Sequence, residues 1–502
     1  MSAEAMSSPA SARRTGIFAP LFERPALIGL VGVLLAFFAL GGMQLLAIPH
    51  AKALDEPRHI AYAIELAEGR LPDVRSQVDL KKLHTKRIRG TKMHAAAAHP
   101  PLYYVIVGFP LKWASEGESI VSGLWVSRLL TLLMGAAGLI YAYLAAVLLV
   151  PRRREAALSA VALCAVTPAF VNVCSVVHND ALAFLTTAGL CHAVLLVLLR
   201  GPAFSAVLQV VIWGALACAS RFASLLVVAP ALTAVGLALL LERGRPPLLR
   251  LRNVAAFSGA ALGLIAITSG WFYLHNYRMY DDVTAGKPLF VGLSRPVREA
   301  FYYHLLKLDR WELLVTDLWC RLAGGVLLGG AVALAGTLLV VAGLLAATKA
   351  LATDFRPQPG TLLKDKRTFA VVFVVVAFLV MVVPIFEFYA RGGNMTARYY
   401  FPVLWVLTLA VSAGYGSFKN DLVGKAVLLG ACLLGLWITD LYIAEIVGNK
   451  ATFAIAFAFA KAELPLPDVL ACSLIACAVL GFSLLISGWQ GLRARQKLES
   501  GT

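Results

Sequence analysis

The chain contains about twelve apolar stretches that are long enough to cross the hydrocarbon core of a bilayer as α-helices. Of its 502 residues, 60% are hydrophobic and only 15% are charged, whereas about a quarter of the residues of a soluble domain are charged. The sequence therefore predicts an all-α, polytopic membrane protein. The stretches run over residues 26–48, 121–150, 155–177, 180–199, 203–219, 222–241, 253–275, 322–348, 369–388, 399–416, 425–446 and 468–488.

Basic residues in the short connections predict how these spans are oriented, because Lys and Arg near a span resist translocation. They recur on alternate connections, which puts both termini and the loops 151–154, 242–252 and 354–367 in the cytoplasm. The long loops 49–120 and 276–321 then lie on the exterior face. We expect interfacial helices in the first of these loops.

The first exterior loop also carries a basic run, formed by Lys81, Lys82, Lys86, Arg87, Arg89 and Lys92. The run is either a solvated or headgroup-bound surface, or a landing site for an anionic substrate such as a lipid phosphate. The formal net charge of +17 divides between this run and the cytoplasmic connections. Because basic and aromatic residues do not combine into a nucleic-acid-binding module, we expect no nucleic acid partner.

Polar residues gather at the exterior ends of the spans, where ionisable groups are costly and usually functional. In chain order, the groups are Asp55-Glu56 with His59, His99 to Tyr104, Asn179-Asp180, Trp271 to Arg278 with Asp281-Asp282, and Arg398 to Pro402. An acidic pair just past a membrane helix sits at the bilayer surface, where partial desolvation raises carboxylate basicity. The first group therefore indicates a catalytic base.

Each group also has a structural interpretation. Asn179-Asp180 could cap the fourth span, and Asp55-Glu56 could cap a surface helix over residues 57–68. The segment from Trp271 to Tyr280 could be an interfacial aromatic belt, and Arg398 with Tyr399 could anchor a span at the interface. A cap needs only one carboxylate, however, and the chain offers two.

Taken in order, these segments resemble one family. The acidic pair after the first span is followed by H-P-P-L-Y-Y, N-D-A-L-A, W-F-x-x-x-N-Y-x-x-Y-D-D and A-R-Y-Y-F-P. This order is similar to that of the GT-C superfamily of membrane glycosyltransferases, in the polyprenyl-phosphate-sugar-dependent branch that includes protein O-mannosyltransferases and aminoarabinose transferases. The resemblance covers residues 26–416, which are expected to form the catalytic module. Residues 1–25 would be a disordered cytoplasmic N-terminus, 417–488 two further transmembrane helices and 489–502 a cytoplasmic tail.

The resemblance implies roles for individual residues. Asp55 would be the general base, and Glu56 would help it to position the acceptor or could hold a divalent cation, with no other cofactor expected. The donor phosphate would be bound by Arg398, with Arg391, Arg278 and His275 as helpers. The substrate-binding residues would be His59, His99, Tyr103, Asn179, Asp180, Asn276, Tyr399 and Tyr400. The chain departs from many relatives at His275, where they carry Arg, and at Arg58, where they carry a small residue.

The expected reaction is transfer, with inversion, of a sugar from a polyprenyl phosphate to a cell-envelope acceptor, which could be a glycan, a lipid or a protein. It would take place on the exterior, periplasmic face of the inner (plasma) membrane. Two alternatives stay open. A ligase of lipid-linked oligosaccharides would use a similar exterior face, whereas a transporter or flippase would need charged residues within the spans, where Glu387 and Asp440 are among the few.

Overall fold

The structure, a computed structural model, describes most of the chain. The described residues are 23–50, 52–53, 55–78, 93–115, 120–292, 296–319, 321–322, 326–327, 330–354, 365–418, 420–447 and 454–500. The basic run at 81–92 lies outside them, as do the predicted disordered N-terminus up to residue 22 and most of the loop 354–367.

The described chain is almost entirely helical, which confirms the predicted fold class. The helices are α1 (Arg24–Ala47), α2 (Glu56–Ala67), α3 (Leu102–Ser115), α4 (Ile120–Leu149), α5 (Arg154–Val166), α6 (Pro168–Ser175), α7 (Asp180–Arg200), α8 (Phe204–Ser220), α9 (Leu225–Leu240), α10 (Pro247–Ile265), α11 (Trp271–Tyr280), α12 (Gly286–Gly292), α13 (Phe301–Leu305), α14 (Leu308–Trp319), α15 (Gly330–Asp354), α16 (Lys366–Ala390), α17 (Leu404–Tyr415), α18 (Asp421–Val447), α19 (Ala454–Lys461) and α20 (Pro467–Ser500). Two short antiparallel strands, β1 (Arg321–Leu322) and β2 (Val326–Leu327), precede α15.

Short 3₁₀ and π turns join some of these helices. Three 3₁₀ turns, Ala95–Ala98, Phe222–Ser224 and Ala397–Val403, lie at ends of the predicted spans or in the first exterior loop. A π turn, Ala266–Gly270, joins α10 to α11. The first exterior loop contains α2 and α3, so it is helical as expected.

Among the described residues, eight helices are long and apolar enough to cross a membrane. The count becomes nine if α5 and α6, bent by 62° at a break, form one span. The break falls at Thr167, because the proline that follows it disfavours helical geometry at the preceding residue. About twelve spans were predicted, and three of them are shorter than expected. Helix α8 has only 17 residues, the part of α15 whose side chains are described runs over Leu334–Thr348, and the 3₁₀ turn takes the start of the predicted span at 399–416.

Helices α1 and α20, the first and last predicted spans, pack against each other through glycines. A Cβ atom at Gly32 would lie 2.6 Å from the carbonyl oxygen of Gly481. A Cβ atom at Gly488 would lie 2.4 Å from the Cα of Gly29. Only glycine therefore permits this approach, as at many helix contacts in membranes. The contact fixes α1, whose C-terminal end leads into the first exterior loop.

Ion pairs join the helix ends that were predicted to share the cytoplasmic side. Arg493 near the end of α20 lies 3.0 Å from the Glu155 carboxylate in α5 and 3.0 Å from that of Asp421 at the start of α18. Arg154 at the start of α5 pairs with Glu23, which precedes α1. These ends therefore lie together, at the end of α1 away from the acidic pair.

Candidate active site

A cavity of about 450 Å³ opens where the predicted exterior ends of the helices meet. One part of its wall is polar and is built from Asp55, Arg58, His59, His99, His178, Arg221, Asn394, Arg398 and Tyr399. Another part is apolar and comes mainly from α9, α12 and α16, with Leu226, Leu289, Phe290, Met381, Pro384, Ile385 and Phe388. The cavity thus combines a charged end with a surface that suits a hydrocarbon chain.

Asp55 reaches the cavity because of an unusual backbone conformation. It immediately precedes α2 and has φ 59° and ψ −13°, in the left-handed region, which Asp tolerates better than most residues. Its side chain makes no capping hydrogen bond to α2. The capping interpretation is therefore wrong for Asp55, and the carboxylate points into the cavity instead.

Two arginines hold the Asp55 carboxylate, one on each oxygen. Arg58 Nη1 lies 2.6 Å from Oδ1, and Arg398 Nη2 lies 2.7 Å from Oδ2. Burial raises the pKa of Asp55, but the positive charges of Arg398 and Arg58 outweigh it and hold the pKa well below that of an ordinary aspartate. The expectation that desolvation makes Asp55 more basic is therefore wrong for this state, in which Asp55 is a weak base.

Glu56 does not share the cavity with Asp55. Its side chain is fully buried, and both of its oxygens accept hydrogen bonds from Arg128 of α4, at 2.8 and 2.7 Å. Arg128 also donates to the backbone carbonyls of Leu45 and Ile48, at the end of α1. The predicted role in acceptor or cation binding is therefore corrected: Glu56 anchors the turn that carries Asp55.

The acidic pair consequently offers a cation one carboxylate rather than two. In the described part of the chain, three or more His, Cys, Asp or Glu side chains are nowhere grouped so that they could hold a metal ion.

The guanidinium groups of Arg398 and Arg221 both contact the ring of Tyr399. Their guanidinium carbons are 5.5 and 5.6 Å from the centre of the Tyr399 ring, within the range of cation–π attraction. Arg221 comes from the tight turn between α8 and α9 and forms an ion pair with the buried Asp180. The site thus brings two guanidinium groups to one aromatic ring in the cavity wall, where both could donate to a phosphate.

Asp180 also acts on Arg398, through His178. His178 Nδ1 lies 3.3 Å from Asp180 Oδ2, and His178 Nε2 lies 3.2 Å from Arg398 Nη1. The backbone N–H of Asp180 donates to His178 Nδ1 at 3.2 Å, so the turn that carries Asp180 holds the ring against Arg398. Asp180 therefore positions both arginines from behind and does not itself line the cavity, so its predicted role as a substrate ligand is corrected.

The exterior loop 276–321 fixes the backbone that carries Arg398. Asp317 of α14 accepts hydrogen bonds of 2.6 Å from the Thr396 hydroxyl and from the Ala397 N–H. Arg298 donates to the backbone carbonyls of Tyr389 and Gly393. This loop therefore holds the turn between α16 and α17.

Three histidines form the wall next to Asp55. The His59 ring lies 4.2 Å from that of His178 and 6.5 Å from that of His99, and its Nδ1 is 2.8 Å from the Tyr104 hydroxyl. Burial lowers the pKa of His59 to about 3, and it also lowers the pKa values of His99 and His178. All three rings are therefore neutral at pH 7 and suit hydrogen bonds to sugar hydroxyls.

Four predicted substrate residues pack elsewhere. The Tyr103 hydroxyl lies 2.7 Å from that of Thr131, and the Tyr400 hydroxyl donates to the Leu314 carbonyl. The side-chain amides of Asn179 and Asn276 donate to backbone carbonyls, of Ser220 and Val283. None of these four residues lines the cavity.

The predicted phosphate helpers also lie outside the cavity wall. The Arg391 side chain is 67% exposed and pairs with Glu387 one turn earlier in α16. Arg278 is exposed on α11, and His275, on the same helix, does not line the cavity. The role predicted for these three residues is corrected, since Arg221 occupies the place beside Arg398.

The sequence analysis assigned no site role to His178 or Arg221, and it treated Arg58 only as a departure from relatives. Arg221 did carry a signal: it is a single cation in a two-residue connection between apolar stretches, on the side predicted to be exterior. A lone arginine there has no cytoplasmic anchoring function, so it belongs with the functional candidates.

Comparison of the sequence with protein-family models gives one match. Residues 98–273 match the family model described as dolichyl-phosphate-mannose-protein mannosyltransferase. This match confirms the predicted resemblance and favours a glycosyltransferase over the transporter alternative. No curated protein sequence matches the chain.

Several solved structures are similar to the chain. ArnT from Cupriavidus metallidurans bound to undecaprenyl phosphate is 15% identical, with a TM-score of 0.46, over 92% of this chain and 76% of that chain. The apo form is 16% identical, with a TM-score of 0.45, over 89% and 74%. The archaeal oligosaccharyltransferase AglB from Archaeoglobus fulgidus is 13% identical, with a TM-score of 0.38, over 88% and 55%.

Proposed function

We propose that this chain is a polyprenyl-phosphate-dependent membrane glycosyltransferase that moves its sugar onto a hydroxyl of a cell-envelope acceptor, with Asp55 as the general base. One observation carries the assignment of the residues. A carboxylate and a phosphate-binding arginine, Asp55 and Arg398, are in direct contact at the charged end of a cavity that has an apolar wall. In such a transfer the two groups flank one anomeric carbon, the base on the acceptor side and the arginine on the phosphate side.

The donor binds with its phosphate between Arg398 and Arg221 and its lipid along the apolar wall. The two guanidinium groups, both on Tyr399, can donate several charge-assisted hydrogen bonds to the phosphate oxygens. Leu226 of α9 and Met381 and Ile385 of α16 contribute apolar surface for the first part of the polyprenyl chain.

Donor binding also prepares the base. The phosphate competes with Asp55 for Arg398, and Asp55 then keeps only Arg58 as its partner. Because an adjacent positive charge lowers the pKa of a carboxylate, the loss of Arg398 raises the pKa of Asp55 towards the ordinary value. A stronger base is produced only when the sugar is in place.

The transfer is then a single displacement. Asp55 accepts the proton of the acceptor hydroxyl as its oxygen attacks the anomeric carbon, and the bond from that carbon to the phosphate oxygen breaks. The polyprenyl phosphate leaves as a monoester whose extra negative charge Arg398 and Arg221 stabilise. One displacement inverts the anomeric configuration, and it needs no second catalytic carboxylate.

Replacing Arg398 tests the phosphate site. We expect Arg398→Ala to weaken the binding of undecaprenyl phosphate by about 1.5–3 kcal/mol, which is the usual contribution of a hydrogen bond to a charged group. Arg398→Lys should recover only part of the loss, since a point charge cannot reproduce a bidentate fork. Affinity can be measured by titrating purified protein in nanodiscs with a fluorescent undecaprenyl phosphate.

Arg391→Ala is the matched control, because this arginine is exposed nearby and lies outside the cavity. Its affinity should equal that of the wild type. Equal affinities for wild type and for both Arg398 variants would contradict the phosphate site.

The active site lies on the exterior, periplasmic face of the inner membrane in this proposal. In right-side-out membrane vesicles, an impermeant thiol reagent should modify a cysteine placed at Lys307, in the second exterior loop. It should modify one placed at Arg152 only after the vesicles are opened. The background needs Cys472→Ala and Cys477→Ala, since these native cysteines are exposed on α20, and Cys320→Ala, since Cys320 belongs to the same predicted exterior loop as Lys307. The reverse labelling pattern would overturn the orientation.

A further inference from the structure

The charge balance of the cavity limits the sugar that it can take, and this inference rests on the proposed function. Among the described residues that line the cavity, three are arginines, Arg58, Arg221 and Arg398, and one, Asp55, is a carboxylate. A second carboxylate, that of Asp180, pairs with Arg221 from behind. Three positive and two negative charges leave a net charge of +1.

The remaining polar side chains of the described wall add no charge. Thr284, Asn394 and Tyr399 are uncharged, and the three histidines are neutral because burial lowers their pKa values. The cavity therefore carries a net charge of +1 before the donor binds.

The donor phosphodiester carries one negative charge and balances that excess. During transfer the phosphate gains a second negative charge as it leaves, and Asp55 loses its negative charge by accepting the acceptor proton. The sum over the cavity is then zero both before and after the reaction. In a buried site an additional charge would be uncompensated, and such charges are costly.

An ammonium group on the sugar would be such a charge. It would sit beside three guanidinium groups, and the nearest carboxylate, Asp55, is held by Arg58 on one oxygen and is needed free on the other as the base. Among the described lining residues no other carboxylate could receive it. We infer that the sugar carried by the donor is uncharged, a neutral hexose or pentose, and that the arginine-rich wall rejects amino sugars.

Competition binding tests this inference. Wild-type protein in nanodiscs, loaded with fluorescent undecaprenyl phosphate, is titrated with matched donors: undecaprenyl phosphate linked to glucose or glucosamine, and to arabinose or 4-amino-arabinose. At pH 6, where the amine is almost fully protonated, each amino donor should bind at least about tenfold more weakly than its neutral partner, since like charges are brought together. The gap should close at about pH 9.5, where the amine has lost its proton, and for the N-acetylated donor, which is larger but uncharged.

Charge variants locate the effect. Arg58→Glu changes the net charge of the cavity from +1 to −1 and should reduce the preference for neutral donors at least about tenfold. Arg58→Gln, which is less disruptive, should reduce it in the same direction by a smaller factor. Arg391→Glu, outside the cavity, should leave the preference unchanged.

The outcomes separate this inference from the proposed function. Amino donors that bind as tightly as their neutral partners, or a gap that persists for the N-acetylated donor, would overturn the inference while the donor site stands. Failure of undecaprenyl phosphate to bind at all would instead overturn the proposed function.

Discussion

Replacing Asp55 with Asn is expected to reduce the turnover of sugar transfer by at least about a hundredfold, the usual contribution of a general base. Asparagine keeps the shape of the side chain and tolerates the left-handed backbone, but it cannot accept the acceptor proton. The affinity for undecaprenyl phosphate should be unchanged or higher, because the carboxylate that competes for Arg398 is gone. Turnover and lipid-phosphate affinity, measured on the same reconstituted protein, separate the two effects.

Asp281→Asn is the matched control for this variant. Like Asp55, Asp281 is a carboxylate with a positive φ on the side predicted to be exterior. Its side chain, however, is 81% exposed and pairs with Lys287. It should transfer sugar at the wild-type rate. If Asp55→Asn retained that rate as well, Asp55 could not be the base.

Replacing Arg128 with Met is expected to lower the free energy of unfolding by about 3–5 kcal/mol, the usual effect of removing one partner of a buried ion pair. Glu56 would be left as a charge without a partner, and the carbonyls at the end of α1 would lose their donor. The double variant Arg128→Met with Glu56→Gln should recover part of the loss, since the buried charge is then absent. Unfolding in detergent, followed by tryptophan fluorescence, measures all three proteins.

Arg391→Met serves as the control, because Arg391 forms an exposed pair that contributes at most about 1 kcal/mol. Wild-type stability of Arg128→Met would contradict the anchoring role of the Glu56 pair. A double variant that is no more stable than the single one would show that the unpaired charge is not the main cost.

The helical class and the gathering of polar groups at one end of the helices could be predicted from the sequence, because apolar length and the polar residues at span ends report on them directly. Asp55, His59, His99, Arg398 and Tyr399 were predicted and do meet at one cavity. Each of their segments follows or precedes an apolar stretch, at the end of that stretch that was predicted to lie on the exterior side. Proximity of that kind follows from the connectivity alone.

The division of roles within each segment could not be predicted. Asp55 and Glu56 are adjacent, yet the left-handed backbone turns one carboxylate to the cavity and the other to Arg128. Nothing in the local pattern marks Arg128, which lies seventy-two positions further along the chain from Glu56. The same holds for His178, which acts only because Arg398 arrives from a distant turn. Such pairings depend on tertiary contacts.

The glycine contact between α1 and α20 gives the C-terminal part of the chain a mechanical function. Residues 417–488 contain none of the motifs, but α20 braces the helix whose end presents Asp55. The position of Asp55 thus depends on a helix that follows all of these motifs in the chain. A nascent chain that already contains Asp55 and Arg398 would still lack this brace, so we expect the cavity to take its final shape only after α20 has packed against α1.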